Sequence, residues 1–156
     1  MREFKVVPAG RVYANQLAPY LRLSDRIEIA CTSGQSPREA LLESVRLSDS
    51  DMCWAALDQG LPVAMFGANS LEGEEVGGIW LLASYGIHRN KKDFMRKSRE
   101  YLAKMHERYK WLTNFIDEEN LITRRWLEAL GFKPVQRVEN FGVGRRPFIQ
   151  YVSRRK

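Results

Sequence analysis

The chain has 156 residues, 44% of them apolar, with four Trp, six Tyr and seven Phe, which is enough for one domain with a real core and excludes a disordered chain. The formal net charge of +6 is unevenly placed: residues 1–87 hold seven Lys/Arg against eleven Asp/Glu, and residues 88–156 hold eighteen against eight. The basic half points either to an anionic partner (a nucleotide, a phosphate, nucleic acid or another protein) or to a solvated basic face.

The longest apolar run, "GGIWLLASYGI", is far short of the roughly 20 residues that span a bilayer. The first residues, "MREFKVVPAG", lack the apolar stretch of a signal peptide, so none is expected. Cys31 and Cys53 stand alone, which suits a reducing, intracellular setting without disulfides. His88 and His106 share no ligand spacing with them or with a carboxylate cluster, so no metal site is expected.

In chain order, residues 2–8, "REFKVVP", alternate as a strand does and stop at Pro8. Residues 10–30 read as helical, with Val12, Leu17, Leu21 and Leu23 as apolar positions and Pro19 as an interruption. Ser36, Pro37 and Glu39 form a helix start: a cap, a proline at the first helical position and a capping-box glutamate. Leu41, Leu42 and Val45 give that helix its buried face.

Residues 52–57, "MCWAAL", and the run "LPVAMFGA" flank an Asp-x-Gly turn and predict a hairpin. An acidic, glycine-bearing loop, "NSLEGEEVGG", leads to "IWLLAS", whose near-continuous apolar run suits a central strand covered on both faces. Residues 90–109 form the strongest helix. Phe94, Tyr101, Leu102, Met105 and Tyr109 line one stripe, with Lys92, Arg96, Arg99, Lys104 and Arg108 opposite. "WLTNFI" is a strand, and "NLITRRWLEAL" a helix with Ile122, Trp126, Leu127 and Leu130 apolar and Gly131 as its cap. "KPVQRVENF" and "PFIQYV" are the last strands, and the basic tail "SRRK" is expected to fray.

The order β-α-α-β-β-β-α-β-α-β-β describes an α/β (α+β) fold. A mixed central sheet of about six to seven strands is flanked by about four helices in a single domain. Residues 1–50 supply the first strand and helices, 51–152 the core and 153–156 the tail.

This order, together with residues 120–132, "NLITRRWLEALGF", resembles the GNAT acyltransferase superfamily. That family's late helix carries an Asn, a small residue three later, a hydrophobic pair and a Leu-Gly-Phe ending. Asn120, Thr123, Trp126, Leu127, Leu130, Gly131 and Phe132 fall in that register. The resemblance implies that the central strand parts from its neighbour and that acyl-CoA lies in the gap. Its thioester would sit between residues 80–84 and 113–116, with Leu82, Ala83 and Ser84 beside it, and a strand amide would polarise the carbonyl. Asn120 would bond the pantetheine arm or the strand backbone.

The family's glycine-rich phosphate turn is reduced here to Gly86 within residues 84–94, "SYGIHRNKKDF". His88, Arg89, Lys91 and Lys92 stand in its place. They predict either a phosphate site made of side-chain cations on a helix N-terminus or a lapsed cofactor site with a solvated basic face. Leu127 occupies the position where many members carry a Tyr that protonates the leaving thiolate, which leaves Tyr85 or Tyr109 as substitutes. The acidic loop offers Glu72, Glu74 and Glu75 as candidate general bases for an amine acceptor, or simply as a soluble loop.

Over residues 51–132 the chain is also similar to small GNAT-like proteins of short-tailed bacteriophages, some of them internal virion proteins. The similarity rests on Gly60, Pro62 and Ala64, on Trp80, Leu81, Leu82 and Ser84, and on Tyr109 with Trp111. It implies a phage protein located in the host cytoplasm or the virion. Two functions follow from these resemblances: an acetyl-CoA-dependent N-acyltransferase with a degenerate cofactor loop, or an inactive GNAT-fold virion or host-interaction protein. The second would bind protein or nucleic acid through its basic helix. A pure nucleic-acid binder would share the charge, but no reading motif is present.

Overall fold

The computed structural model describes residues 3–73 and 75–156. Its strands are β1 (Phe4–Pro8), β2 (Cys53–Asp58), β3 (Leu61–Ser70), β4 (Val76–Ala83), β5 (Trp111–Asp117), β6 (Lys133–Phe141) and β7 (Arg146–Arg154). They form one sheet in the order β1-β2-β3-β4-β5-β7-β6. Every neighbouring pair is antiparallel except β4 and β5, which are parallel. The helices are α1 (Arg11–Leu17), α2 (Leu23–Thr32), α3 (Pro37–Leu47), α4 (Lys91–Arg108) and α5 (Leu121–Ala129).

Side-chain alternation sorts the central strands into two apolar layers. Ala55, Leu57 and Met65, with Trp80 and Leu82, pack under Ala14, Leu17, Ile29 and Leu41 of α1–α3. Trp54, Phe66 and Ile79 face the other way, onto Tyr101 and Met105 of α4 and Leu127 of α5. Trp54, Phe66 and Tyr101 form a triad with centroids 4.9–5.6 Å apart, Tyr101 meeting the other two rings edge-on. As expected for a central strand, β4 is covered on both faces, but Trp80, Leu81 and Leu82 are only half-buried.

Local signals account for most element boundaries. The capping box at α3 is complete: Glu39 N donates to Ser36 Oγ (3.1 Å), and Ser36 N donates to Glu39 Oε1 (3.0 Å). The helix over 90–109 is α4, preceded by a 3₁₀ turn at Tyr85–Asn90. Of its predicted stripe Phe94, Tyr101, Met105 and Tyr109 are buried and Leu102 half-buried. The end of α5 is a Schellman motif. Gly131 has φ +94°, its N–H donates to Glu128 O, and Phe132 N–H donates to Leu127 O.

Two regions differ from the sequence expectation. Residues 10–30 are not one helix, which is why there are five helices and not about four. Pro19 sits in a 3₁₀ turn (Ala18–Tyr20), and Leu21 leaves the helical region to bridge Ser84 at the end of β4. Val12 and Leu23 consequently point outward, while Ala14, Leu17 and Leu21 are buried. The tail does not fray at residue 153. Ser153 and Arg154 continue β7 against β5, His106 Nε2 lies 2.9 Å from Ser153 Oγ, and Arg155 N–H donates to Lys110 O.

Candidate active site

The parallel pairing of β4 with β5 covers only Val76–Trp111, Gly77–Leu112 and Gly78–Thr113. Beyond Gly78 the two strands part, while β4 stays paired with β3 through Ala83 and β5 with β7 along its whole length. The opening is held by α2. Ala83 O accepts from Arg22 N (2.8 Å), and Ala83 N donates to Asp25 Oδ2 (3.1 Å). Asp25 is 3% exposed and Arg22 also 3%, and the Arg22 guanidinium reaches Asp25 through two nitrogens at 2.9 and 3.2 Å. Ionic partners and a backbone donor therefore satisfy this buried charge. Because donors alternate along a strand, Leu81 N–H points to the same side as Ala83 N–H, past the end of the β4–β5 ladder.

Two clefts meet at this opening. The first, of ≈ 390 Å³, lies between the start of α4 and the exposed side of α5. Its apolar wall is Leu81, Ile87, Phe94, Met95, Ile122 and Trp126, its cationic residues are Arg22, Lys91 and Arg125, and His88 stands beside them. Partial burial, and then the charges of Arg22 and Lys91, lower the pKa of His88. The second cleft, of ≈ 310 Å³, lies under α2 and α3, with Leu82 of β4 and Asn114, Phe115 and Ile116 of β5 in its wall. Its charged residues are Asp25, Glu28 and Glu43, with no Lys, Arg or His in its lining. Leu81 and Thr123 border both clefts.

Glu28 is the titratable group of the acidic cleft with a pKa near neutrality. Burial raises its carboxyl to about 7, reinforced by the charges of Asp25 and Asp117 and opposed by a hydrogen bond from Asn120. That bond, Asn120 Nδ2 to Glu28 Oε2 at 2.6 Å, joins α2 to the cap of α5. Asn120 Oδ1 also accepts from Thr123 N (3.3 Å), so one side chain caps α5 and orients the carboxylate. Thr123, 5% exposed, has a buried Oγ1 with no hydrogen-bond partner. A buried hydroxyl left unpaired where two clefts meet fits a ligand group that supplies the missing partner.

The sequence candidates distribute unevenly over this geometry. His88 and Lys91 line the basic cleft and Leu82 the acidic one. Arg89 instead turns to Asp58 (3.8 Å), and Lys92 is exposed outside both linings. Ala83 and Ser84 are committed internally: Ser84 Oγ donates to Val63 O and accepts from Gly86 N. Gly86 has a packing reason, since a Cβ there would lie 2.7 Å from Val63 Cγ1. Tyr85 is 58% exposed, its hydroxyl accepts from Leu23 N, and it borders neither cleft. Tyr109 is buried and bonds Asp49. Leu127 is a fully buried core residue.

Glu72 and Glu75 sit in the exposed loop before β4 and border neither cleft; Glu74 lies outside the described residues. That loop is at the closed end of β4, roughly 20 Å of strand from Leu81, where the two clefts meet. The residues the sequence reading passed over are Arg22, Asp25, Glu28, Thr123 and Arg125. Glu28 had no motif to mark it, because its pKa depends on a residue 92 positions away. Burial pushes the Cys53 thiol up to about 11, which argues against a thiolate nucleophile there. Among the described residues no group of His, Cys, Asp and Glu could hold a metal ion, and no helix is long and apolar enough to cross a membrane.

No protein-family model matches the sequence, and no curated protein matches it. Solved structures do match the architecture. The aminoglycoside 6'-acetyltransferase type Ii superposes with a TM-score of 0.73 at 23% identity over 96% of each chain. A GNAT-family acetyltransferase from Bacillus anthracis gives 0.69 at 10% identity over 97% of this chain and 94% of its own. A Salmonella typhimurium protein solved with its cofactor acetyl-CoA gives 0.68 at 13% identity, covering 97% and 93%. The fold is that of the GNAT acetyltransferases.

Proposed function

From a GNAT fold whose central strands part between a cationic and an anionic cleft, we propose that the chain is an acyl-CoA-dependent N-acyltransferase. The observation that carries this is the meeting of the two clefts at Leu81 and Thr123, beside a carboxylate with a pKa of about 7. The cationic cleft fits acetyl-CoA: side-chain cations for phosphates, an apolar wall for the pantetheine arm, and an unpaired strand N–H at the inner end. Bound there, acetyl-CoA supplies the acyl group as an activated thioester.

The chain's own groups have distinct tasks in this proposal. Lys91 and Arg125 hold the phosphates in place of a glycine cradle, with the imidazole of His88 as a neutral hydrogen-bonding group beside them. Leu81 N–H donates to the acyl carbonyl oxygen, where charge develops. Glu28, held by Asn120, takes the proton from the acceptor nitrogen. Thr123 Oγ donates toward the departing sulfur, a task for which Leu127 has no group. Residues 1–156 act as one domain in this proposal, with base and base-holder 92 positions apart.

Calorimetry and thermal unfolding with acetyl-CoA test the proposal. Expected are saturable binding and a rise in Tm of several degrees at millimolar acetyl-CoA. Both should be strongly weakened in Lys91→Ala/Arg125→Ala. No stabilisation at millimolar acetyl-CoA overturns it. The second reading is a non-catalytic phage virion or host-interaction protein on the same fold. The cations of α4 that border no cleft favour it. It predicts no acetyl-CoA effect and, for a nucleic-acid partner, binding that weakens steeply with salt.

A further inference from the structure

The acidic cleft carries more charge than proton abstraction requires. Asp25 is neutralised by Arg22, and Glu28 is the proposed base. Glu43 has no such task. It reaches the cleft from α3, on the helix next to the one that bears Glu28. Its Oε2 accepts from the neutral amide of Gln35 (2.5 Å), which fixes the carboxylate without cancelling its charge. Among the described residues its one ionic contact is to Arg46 at 3.7 Å, where the two side chains are 71% and 42% exposed, and it contributes little. A protein of net charge +6 thus keeps an oriented carboxylate in a cleft without a cation in its lining. The unpartnered Thr123 hydroxyl at the inner end, where the two clefts meet, marks the joined space as one completed by a ligand.

We propose that the acceptor is an aliphatic amine carrying a second cationic centre, with the reacting nitrogen at Glu28 and the second ammonium held by Glu43. This rests on the acyltransfer reading for the reaction, but the binding preference stands without it. The apolar wall between the two helices and the strands, Ile29, Leu47, Leu82 and Ile116, suits the methylene chain joining the charges. Glu43 is partly screened by solvent, so its charge pair separates a diamine from a monoamine of equal length by a few-fold.

The test is calorimetric titration of the whole protein, without cofactor, with butylamine, 1,4-diaminobutane and spermidine. The diamine should bind about threefold to fivefold more tightly than butylamine. That preference should be lost in Glu43→Gln and persist in Glu107→Gln, a control at an exposed acid of α4. Equal binding of the two amines, or a preference that survives Glu43→Gln, overturns the inference. Acetyl-CoA is titrated into the same samples. Diamine preference without acetyl-CoA binding upholds the cation cleft and sinks the acyltransfer reading; acetyl-CoA binding without diamine preference does the reverse.

Discussion

With a pKa of about 7, Glu28 is half-ionised near neutral pH, so the rate of a reaction that needs its carboxylate should rise through pH 7. Glu28→Gln should lower kcat by about a hundredfold and remove that limb of the pH profile, measured by thiol release. The same shift acts on stability. The folded protein holds the Glu28 proton up to about pH 7, whereas the unfolded chain releases it near the ordinary value of 4.5. This group's contribution therefore favours folding at low pH and is lost as pH rises from about 4.5 to 7. Glu28→Gln should flatten that part of the Tm-versus-pH curve. Thr123 makes a prediction of opposite sign for activity and stability. Thr123→Val removes a buried hydroxyl that has no partner, so the free protein should be unchanged or stabilised by about 1 kcal/mol, while kcat falls. A purely structural Thr123 would leave kcat alone.

At the scale of elements, the β6–β7 turn supports the wall of the acidic cleft by way of α2. Val143 N–H donates to Thr32 O and Gly144 N–H to Cys31 O, so the hairpin tip satisfies carbonyls at the end of α2. Gly142 allows this approach: its φ is +69°, and a Cβ would lie 2.6 Å from Cys31 O. Gly142→Ala should destabilise the chain by about 1–3 kcal/mol in denaturant unfolding. It should also weaken diamine binding, because Thr32 and Ser33 line that cleft. The contact of this turn with a helix about 110 residues earlier was not legible in the sequence. Local signals, such as the Ser36 capping box and the Gly131 cap, read well from sequence because their partners lie within a few residues. Pro19 was legible as an interruption, but its outcome was not, since the bridge from Leu21 to Ser84 is long-range.

For the whole molecule, the unequal charge of the two halves of the sequence becomes a spatial division. The acidic cleft draws its carboxylates from α2 and α3, and two of the three cationic groups of the basic cleft, Lys91 and Arg125, come from the basic half of the chain. Arg22 is the exception, and its bond to Asp25 stands between the two sides. The GNAT fold was legible because element order and the register of residues 120–132 are properties of the chain itself. Only part of the candidate site could be read in the same way. His88 and Lys91 stand on a helix start that sequence marks, whereas Glu28, Thr123 and Arg125 matter through their neighbours in space.

The short β4–β5 ladder has a consequence for solvent exchange. Past Gly78 each amide of β4 that faces β3 is locked in the sheet, and Ala83 N–H is held by Asp25. Leu81 N–H has neither protection, so its proton should exchange with deuterium orders of magnitude faster than those of Leu82 and Ser84 on either side. Saturating acetyl-CoA should slow that one proton most, and equal exchange at residues 81, 82 and 84 in the free protein would show that the strands do not stand apart. A single backbone proton in the middle of an otherwise protected sheet thus becomes a gauge of whether the gap is filled.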